Sequence, residues 1–201
     1  MERRLISIAA APVAMELRDG KTPVIVGYGS VFYDGSPGTE YRVWPDLWER
    51  IMPGAFNNAI TANDIVGCFN HDPNNVLGRT SAGTMNLSVD AKGLVYEIEP
   101  GDTSIGRDMV EHLKRKDVTG SSFAFDVMKQ SWADEKQPDG SMVQIRQIEA
   151  VKLYEMGPVT FPAYAAATAD VRSKVLASRP QKTMTPSLDV VRARLRLLEL
   201  L

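Results

Sequence analysis

Two short segments of the chain carry side chains suited to proton transfer. Asn70-His71-Asp72 holds one of only two histidines, and Thr119-Gly120-Ser121-Ser122-Phe123-Ala124-Phe125 follows about fifty residues later. A serine hydroxyl is a weak nucleophile at neutral pH and becomes effective when an imidazole accepts its proton. The order of such groups along a chain does not matter, because the fold brings them together. Side chains alternate between the faces of a strand. Phe123, Phe125 and Val127 therefore share one face, and Ser121 falls with them. Ser122 and Ala124 share the other, where a small neighbour leaves room for a substrate backbone. Parity selects Ser122 as the nucleophile and leaves Ser121 as its rival. The plainer reading is that both serines are ordinary strand residues and that His71 is a turn residue at a strand end.

A third group completes the set. By alternation Glu155 shares a face with Val151 and Leu153. A carboxylate on an apolar face needs a donor or a cation to offset its lost hydration. An imidazolium formed during catalysis would meet that need, and the carboxylate would hold the ring in place. The competing reading is a solvated carboxylate at a strand end. Arg79 either faces such a site or pairs on the surface, and surface pairing is the expectation. His112 lies off the apolar stripe of its helix and is expected in solvent.

Other chemistries fit the residue types poorly. A zinc site takes three or four His, Cys or carboxylate ligands at particular spacings, and the chain has two histidines and one cysteine. No metal or other cofactor is expected. Cys68 and His71 could form a thiol dyad only if the chain bends, because three steps along a strand put them on opposite faces. Asp72, next to His71, points elsewhere if the strand continues.

These groups sit on predicted strands and turns. Leu5, Ile6 and Ile8 suggest a first strand. Val24 to Phe32 is rich in β-branched and aromatic residues, and its glycines suggest a bulge or tight bend. Asp34 to Gly38 reads as a turn. Trp44 to Phe56 reads as irregular, since Pro45 and Pro53 block a long helix. A short helix is expected within Ala55 to Ala62, and a buried strand from Ile65 to Phe69 leads to His71. Met85 to Val89 and Leu94 to Ile98 flank Asp90-Ala91-Lys92-Gly93 as a hairpin. Asp102-Thr103-Ser104 can cap a helix from about Ile105 to Lys116, with Ile105, Met109 and Leu113 on one face. Gly120 to Met128 is a predicted strand, Asp134 to Ser141 a loop, and Met142 to Val159 a strand pair or one bent strand. Ser178 to Ser187 reads as a linker. Ser187 then caps a helix whose stripe is Leu188, Val191, Leu195 and Leu198.

With 201 residues, 44% of them hydrophobic, the chain can bury one sizeable core. No apolar run approaches the roughly 20 residues that span a bilayer, and no membrane association is expected. The apolar stretch after Arg4 is a weak signal peptide and a better strand. A single cysteine excludes an internal disulfide and agrees with a reducing cytoplasm. Net charge is −2, unevenly placed: residues 171–201 hold seven Lys or Arg against two Asp or Glu, so the body is acidic and the tail basic. A basic tail suits nucleic acid or an acidic protein partner equally. The body has no basic stripe interleaved with aromatics, so no nucleic-acid role is expected.

At these residues the chain resembles the prohead maturation protease family of tailed bacteriophages. The likeness runs in order over roughly residues 25–170. It takes in Gly27-Tyr28-Gly29-Ser30-Val31-Phe32, Glu49-Arg50-Ile51-Met52-Pro53-Gly54-Ala55-Phe56, Asn70-His71-Asp72 with Leu77-Gly78-Arg79-Thr80, and Gly83-Thr84. Asp90 to Leu94, Gly120-Ser121-Ser122-Phe123-Ala124-Phe125 and Glu155 to Tyr164 follow. The family is similar to the herpesvirus maturation proteases, which implies a compact β-barrel flanked by helices. The resemblance implies a serine protease, with Ser122 as nucleophile, His71 as general base and Glu155 as the orienting third member. It also implies the major capsid protein and a scaffold as substrates and docking partners, the inside of an immature prohead in the bacterial cytoplasm as location, and self-cleavage. Three departures stand out. Ser121 replaces the family's usual Met, Ala124 replaces its usual Gly, and Gly157-Pro158 stands where Ser often follows. Pro158 has no amide hydrogen, so an oxyanion contact there must come from elsewhere.

The expected architecture is α+β: a β-rich protease domain over residues 1–172, a flexible linker over 173–187 and an amphipathic helix over 188–201. A homo-oligomer, such as a dimer, is expected. One rival reading is a non-catalytic capsid-assembly or scaffolding module of the same fold, against which the intact His71, Ser122 and Glu155 weigh. Another is a small-ester hydrolase, which lacks support because no Gly-x-Ser-x-Gly elbow is present.

Overall fold

The computed structural model describes residues 1–5, 13–36, 38–161, 175 and 177–180. In chain order the elements are β1 (Glu2–Leu5), β2 (Ala14–Arg18), β3 (Thr22–Val31), β4 (Glu40–Trp44), β5 (Leu47–Ile51), α1 (Ala59–Ala62), β6 (Val66–Cys68) and β7 (Val76–Arg79). There follow β8 (Met85–Val89), β9 (Gly93–Ile98), α2 (Ser104–Arg115), β10 (Gly120–Lys136) and β11 (Met142–Val159). The result is sheet-rich α+β. The strands form two sheets, and among the described residues no single closed cylinder joins them. One sheet runs β1-β10-β11-β5-β4, with β6 and then β7 attached to β11 beyond β5; the other runs β2-β3-β9-β8.

The spine of the larger sheet is the antiparallel pair β10 and β11. The predicted loop from Asp134 is strand as far as Lys136. The turn proper is shorter, closed by Gln137 N donating to Ser141 O and by the Asp139 carboxylate accepting from the Ser141 amide and hydroxyl. The expected irregular stretch after Trp44 also differs. Pro45 and Asp46 form only a turn, after which Leu47–Ile51 enters the sheet parallel to β11. Proline excluded a helix there but not a strand that begins after it.

The core lies where the two sheets face each other. Ile25, Leu94, Tyr96 and Ile98 come from the smaller sheet, and Phe123, Phe125, Leu153 and Met156 from the larger. Phe32, Phe56, Phe123 and Phe125 make a continuous chain of ring contacts with centroids 6.0, 5.8 and 4.8 Å apart. Helix α2 starts where the Thr103 hydroxyl accepts from the Gly106 amide. It ends at Lys116 in the left-handed conformation. Its buried Met109 and Leu113 each contribute about 1.5–3 kcal/mol of apolar burial. The expected bulge in β3 appears as a register shift between Tyr28 and Ser30.

Arg146 on β11 is buried and bonds Glu49 at 2.6 Å and Glu2 at 3.0 Å, tying β1 and β5 to the spine. Val175, in the stretch read as linker, is buried against Leu47 beside Trp44 and Trp132. Arg179 bonds Gln144 at 2.6 Å and Asp46 at 2.8 Å. The predicted helix over 188–201, Ile6 and Ile8 of the first strand, and Pro162 to Tyr164 lie outside the described residues.

Candidate active site

The position of Glu155 is set by a bulge. In the β10–β11 ladder Ala124 stands opposite Glu155, but its neighbour Phe125 stands opposite Leu153, which leaves Tyr154 as an extra residue. Residues opposite each other share a face. Leu153 therefore points with Phe125 into the core, and Glu155 points with Ala124 to the other face. The simple alternation that put Glu155 beside Val151 and Leu153 is overturned, because one inserted residue flips everything beyond it. The bulge is held by the Tyr154 hydroxyl, which donates to Asp126 at 2.7 Å. Beyond it, Met156 is paired with Phe123, and Gly157 with Ser122. Ser122, Ala124, Glu155 and Gly157 thus share one face.

His71 reaches this face from a tight turn. Asn70 and His71 both have positive φ, 54° and 59°, the left-handed region that asparagine visits more readily than most residues. The turn is closed on both sides. Phe69 N donates to Asn75 O, and Asp72 N to Phe69 O. The Asp72 carboxylate accepts from the Asn74 amide and both asparagine side chains, so it points away from His71 as expected. Asn70 anchors the turn to β11: its amide donates to Pro158 O at 3.0 Å, and its side chain exchanges two bonds with Thr160. Pro158, unable to donate, serves the site as an acceptor.

The ring of His71 lies 2.5 Å from Glu155, Nδ1 to Oε1, with both side chains largely buried. A carboxylate only accepts, so Nδ1 carries the donated hydrogen and a neutral ring keeps its lone pair on Nε2. Nε2 is buried and has no hydrogen-bond partner among the described residues. Ser122 is two positions along the ladder from Glu155 on the same face. Such diagonal neighbours are about 7–8 Å apart, a gap comparable to an imidazole with a hydrogen bond at each end. Ser122 is fully buried.

The two serines differ in environment. Ser121 Oγ lies 2.7 Å from the Tyr96 hydroxyl inside the core, and burial pushes the Tyr96 phenol far above its ordinary range. The two serines thus lie on opposite faces of β10, and both are fully buried.

Cys68 is the residue that sequence reasoning set aside and the structure brings in. Strand alternation put it opposite His71, but the left-handed turn at Asn70 and His71 ends the alternation. Cys68 Sγ donates to Glu155 Oε2 at 3.2 Å. No sequence signal marked this contact, because it depends on the parallel register of β6 on β11, which pairs Val66 with Glu155 and Gly67 with Met156. Gly157 permits the approach: a Cβ there would stand 2.3 Å from the Cys68 carbonyl oxygen.

The remaining candidates lie elsewhere. Arg79 pairs on the surface with Asp64, and that guanidinium holds the Asp64 carboxyl well below its usual range. His112 is exposed and pairs with Asp117 at 3.3 Å. Among the described residues no group of three or more His, Cys, Asp or Glu side chains is arranged to hold a metal ion, and no helix is long and apolar enough to cross a membrane.

A family model described as caudovirus prohead serine protease matches residues 11–182 of the chain. No curated protein and no solved structure gives a match.

Proposed function

The chain belongs to the caudovirus prohead serine protease family, and from that premise we propose that Ser122, His71 and Glu155 are the triad with which it cuts the capsid and scaffold proteins of an immature head. Family membership makes it a serine protease of phage prohead maturation, with capsid-related substrates. The observation that carries the residue assignment is the 2.5 Å contact between His71 Nδ1 and Glu155 Oε1 on the face that also bears Ser122.

In this mechanism His71 Nε2 takes the Ser122 proton as the hydroxyl oxygen attacks the scissile carbonyl. The imidazolium that forms is stabilised by Glu155 and then protonates the leaving amine. Backbone amides supply the oxyanion contact. Ser122 is buried, so its hydroxyl meets a substrate only when that face is opened. The two packed sheets are read as the halves of the herpesvirus-protease-like barrel that the resemblance implies, supported by their shared aromatic core.

The enzyme works inside the prohead in the host cytoplasm as a homo-oligomer, and its basic 171–201 segment docks on an acidic partner such as the scaffold or inner shell surface. It also trims itself between Ala177 and Ser187, a stretch whose Ser, Thr, Pro and Gln composition reads as linker and suits proteolysis. Co-expression with the shell protein of the same phage tests the reading. Mass spectrometry should find shortened shell-protein termini and a shortened enzyme C-terminus with wild type and neither with Ser122→Ala. Equal shortening with Ser122→Ala would remove Ser122 from the mechanism, and an uncut shell protein with wild type would favour the non-catalytic assembly module.

A further inference from the structure

We infer that Cys68 is a positioning residue of the protease: its thiol holds the second oxygen of Glu155, which keeps the first aimed at His71. The inference rests on the triad reading above and adds a fourth group to it.

A glutamate side chain has several rotatable bonds and is pinned only if both ends of its carboxylate are engaged. Here Oε1 faces His71 Nδ1 at 2.5 Å and Oε2 faces Cys68 Sγ at 3.2 Å. The carboxylate can only accept, so the thiol donates its one hydrogen and remains protonated; a thiolate would set two anions side by side in a buried site.

The backbone leaves the thiol little freedom to drift. Strand β6 is locked to β11 by Val66 opposite Glu155 and Gly67 opposite Met156. The Cys68 backbone then lies so close to Gly157 that no Cβ fits between them. Gly157 is also the residue opposite Ser122, so one close approach sets the thiol, the carboxylate and the nucleophile strand together. A buried cysteine ordinarily packs as a small apolar group. This one is 3% exposed yet has its sulfur on a carboxylate oxygen.

The consequence is kinetic. A carboxylate that swings away from His71 no longer holds the ring toward Ser122, and misplacement by about 1 Å can cost a hundredfold in rate. Losing one hydrogen bond to a charged group should cost about tenfold.

The test is the second-order rate at which a fluorophosphonate probe labels Ser122 in the purified full chain. Cys68→Val and Cys68→Ala should label about tenfold more slowly. Cys68→Ser, which keeps a donor in place, should recover to within about threefold of wild type. In a Glu155→Ala background, Cys68→Val should cause no further slowing, because no carboxylate remains to be held; a packing role would slow both backgrounds alike. The alanine variant repeats the comparison if the valine variant does not fold. Wild-type rates in Cys68→Val and Cys68→Ala, no recovery in Cys68→Ser, or equal slowing in both backgrounds would each overturn the inference. Labelling that persists in Ser122→Ala would instead defeat the triad reading itself.

Discussion

Glu155 and Leu153, two residues apart in one strand, point to opposite faces of the sheet. Tyr154 is the extra residue between them, and its hydroxyl bond to Asp126 holds the bulge. One inserted residue thus moves a carboxylate from the core face to the face of Ser122. Every distance at the site depends on that flip.

The adjacent serines should separate activity from stability. Ser122→Ala should lose about 10⁴-fold or more in cleavage rate, as removal of a triad nucleophile does. Ser121→Ala should keep most activity but lose about 1–3 kcal/mol, because the buried Tyr96 hydroxyl is left without its partner. Urea unfolding and shell-protein cleavage measure the two effects. An inactive Ser121→Ala beside an active Ser122→Ala would reverse the assignment.

Much of this arrangement was legible from residue types. The face of Ser122 followed from alternation with Phe123 and Phe125. The capped start of α2 within Asp102-Thr103-Ser104, the β8–β9 hairpin and the surface pairing of Arg79 followed from local chemistry. What escaped is non-local. The bulge at Tyr154 depends on cross-strand register, and the Cys68 contact on a parallel pairing between β6 and β11. β5 was hidden because Pro45 marks a turn and not the end of regular structure. Val175 packs on Leu47 across most of the chain's length, and composition alone marked its surroundings as linker.

Gly157 should tolerate no side chain. In Gly157→Ala the new Cβ meets the Cys68 carbonyl, a backbone atom that cannot swing aside. β6 must then move off β11, taking Cys68 and the His71 turn with it. The expected result is a loss of about 2 kcal/mol or more, in the range for imposed strain, together with a fall in cleavage rate well beyond that of Ser121→Ala. Wild-type stability and activity in Gly157→Ala would show that the close approach is not needed.

Stability should fall in acid. Arg50 hydrogen-bonds Glu135, Tyr28 hydrogen-bonds Asp90 and Arg179 hydrogen-bonds Asp46, and each partner holds its carboxyl below the ordinary range. A carboxyl that binds protons less readily folded than unfolded stabilises the fold above its unfolded pKa. That stabilisation is lost as pH falls through the folded value. The unfolding temperature should therefore be nearly level from pH 7 to about 5 and drop below about pH 4. Arg50→Met should flatten part of that drop. A flat profile down to pH 3 in wild type would show that these pairs do not contribute.

The proposed triad requires that His71, oriented by Glu155, activates Ser122. Its most direct test is peptide mapping of the adduct formed when a fluorophosphonate probe reacts with the purified full chain. One modified residue, Ser122, is expected in wild type and in His112→Ala, with labelling all but lost in His71→Ala. An adduct on Ser121, or undiminished labelling of Ser122 in His71→Ala, would contradict it.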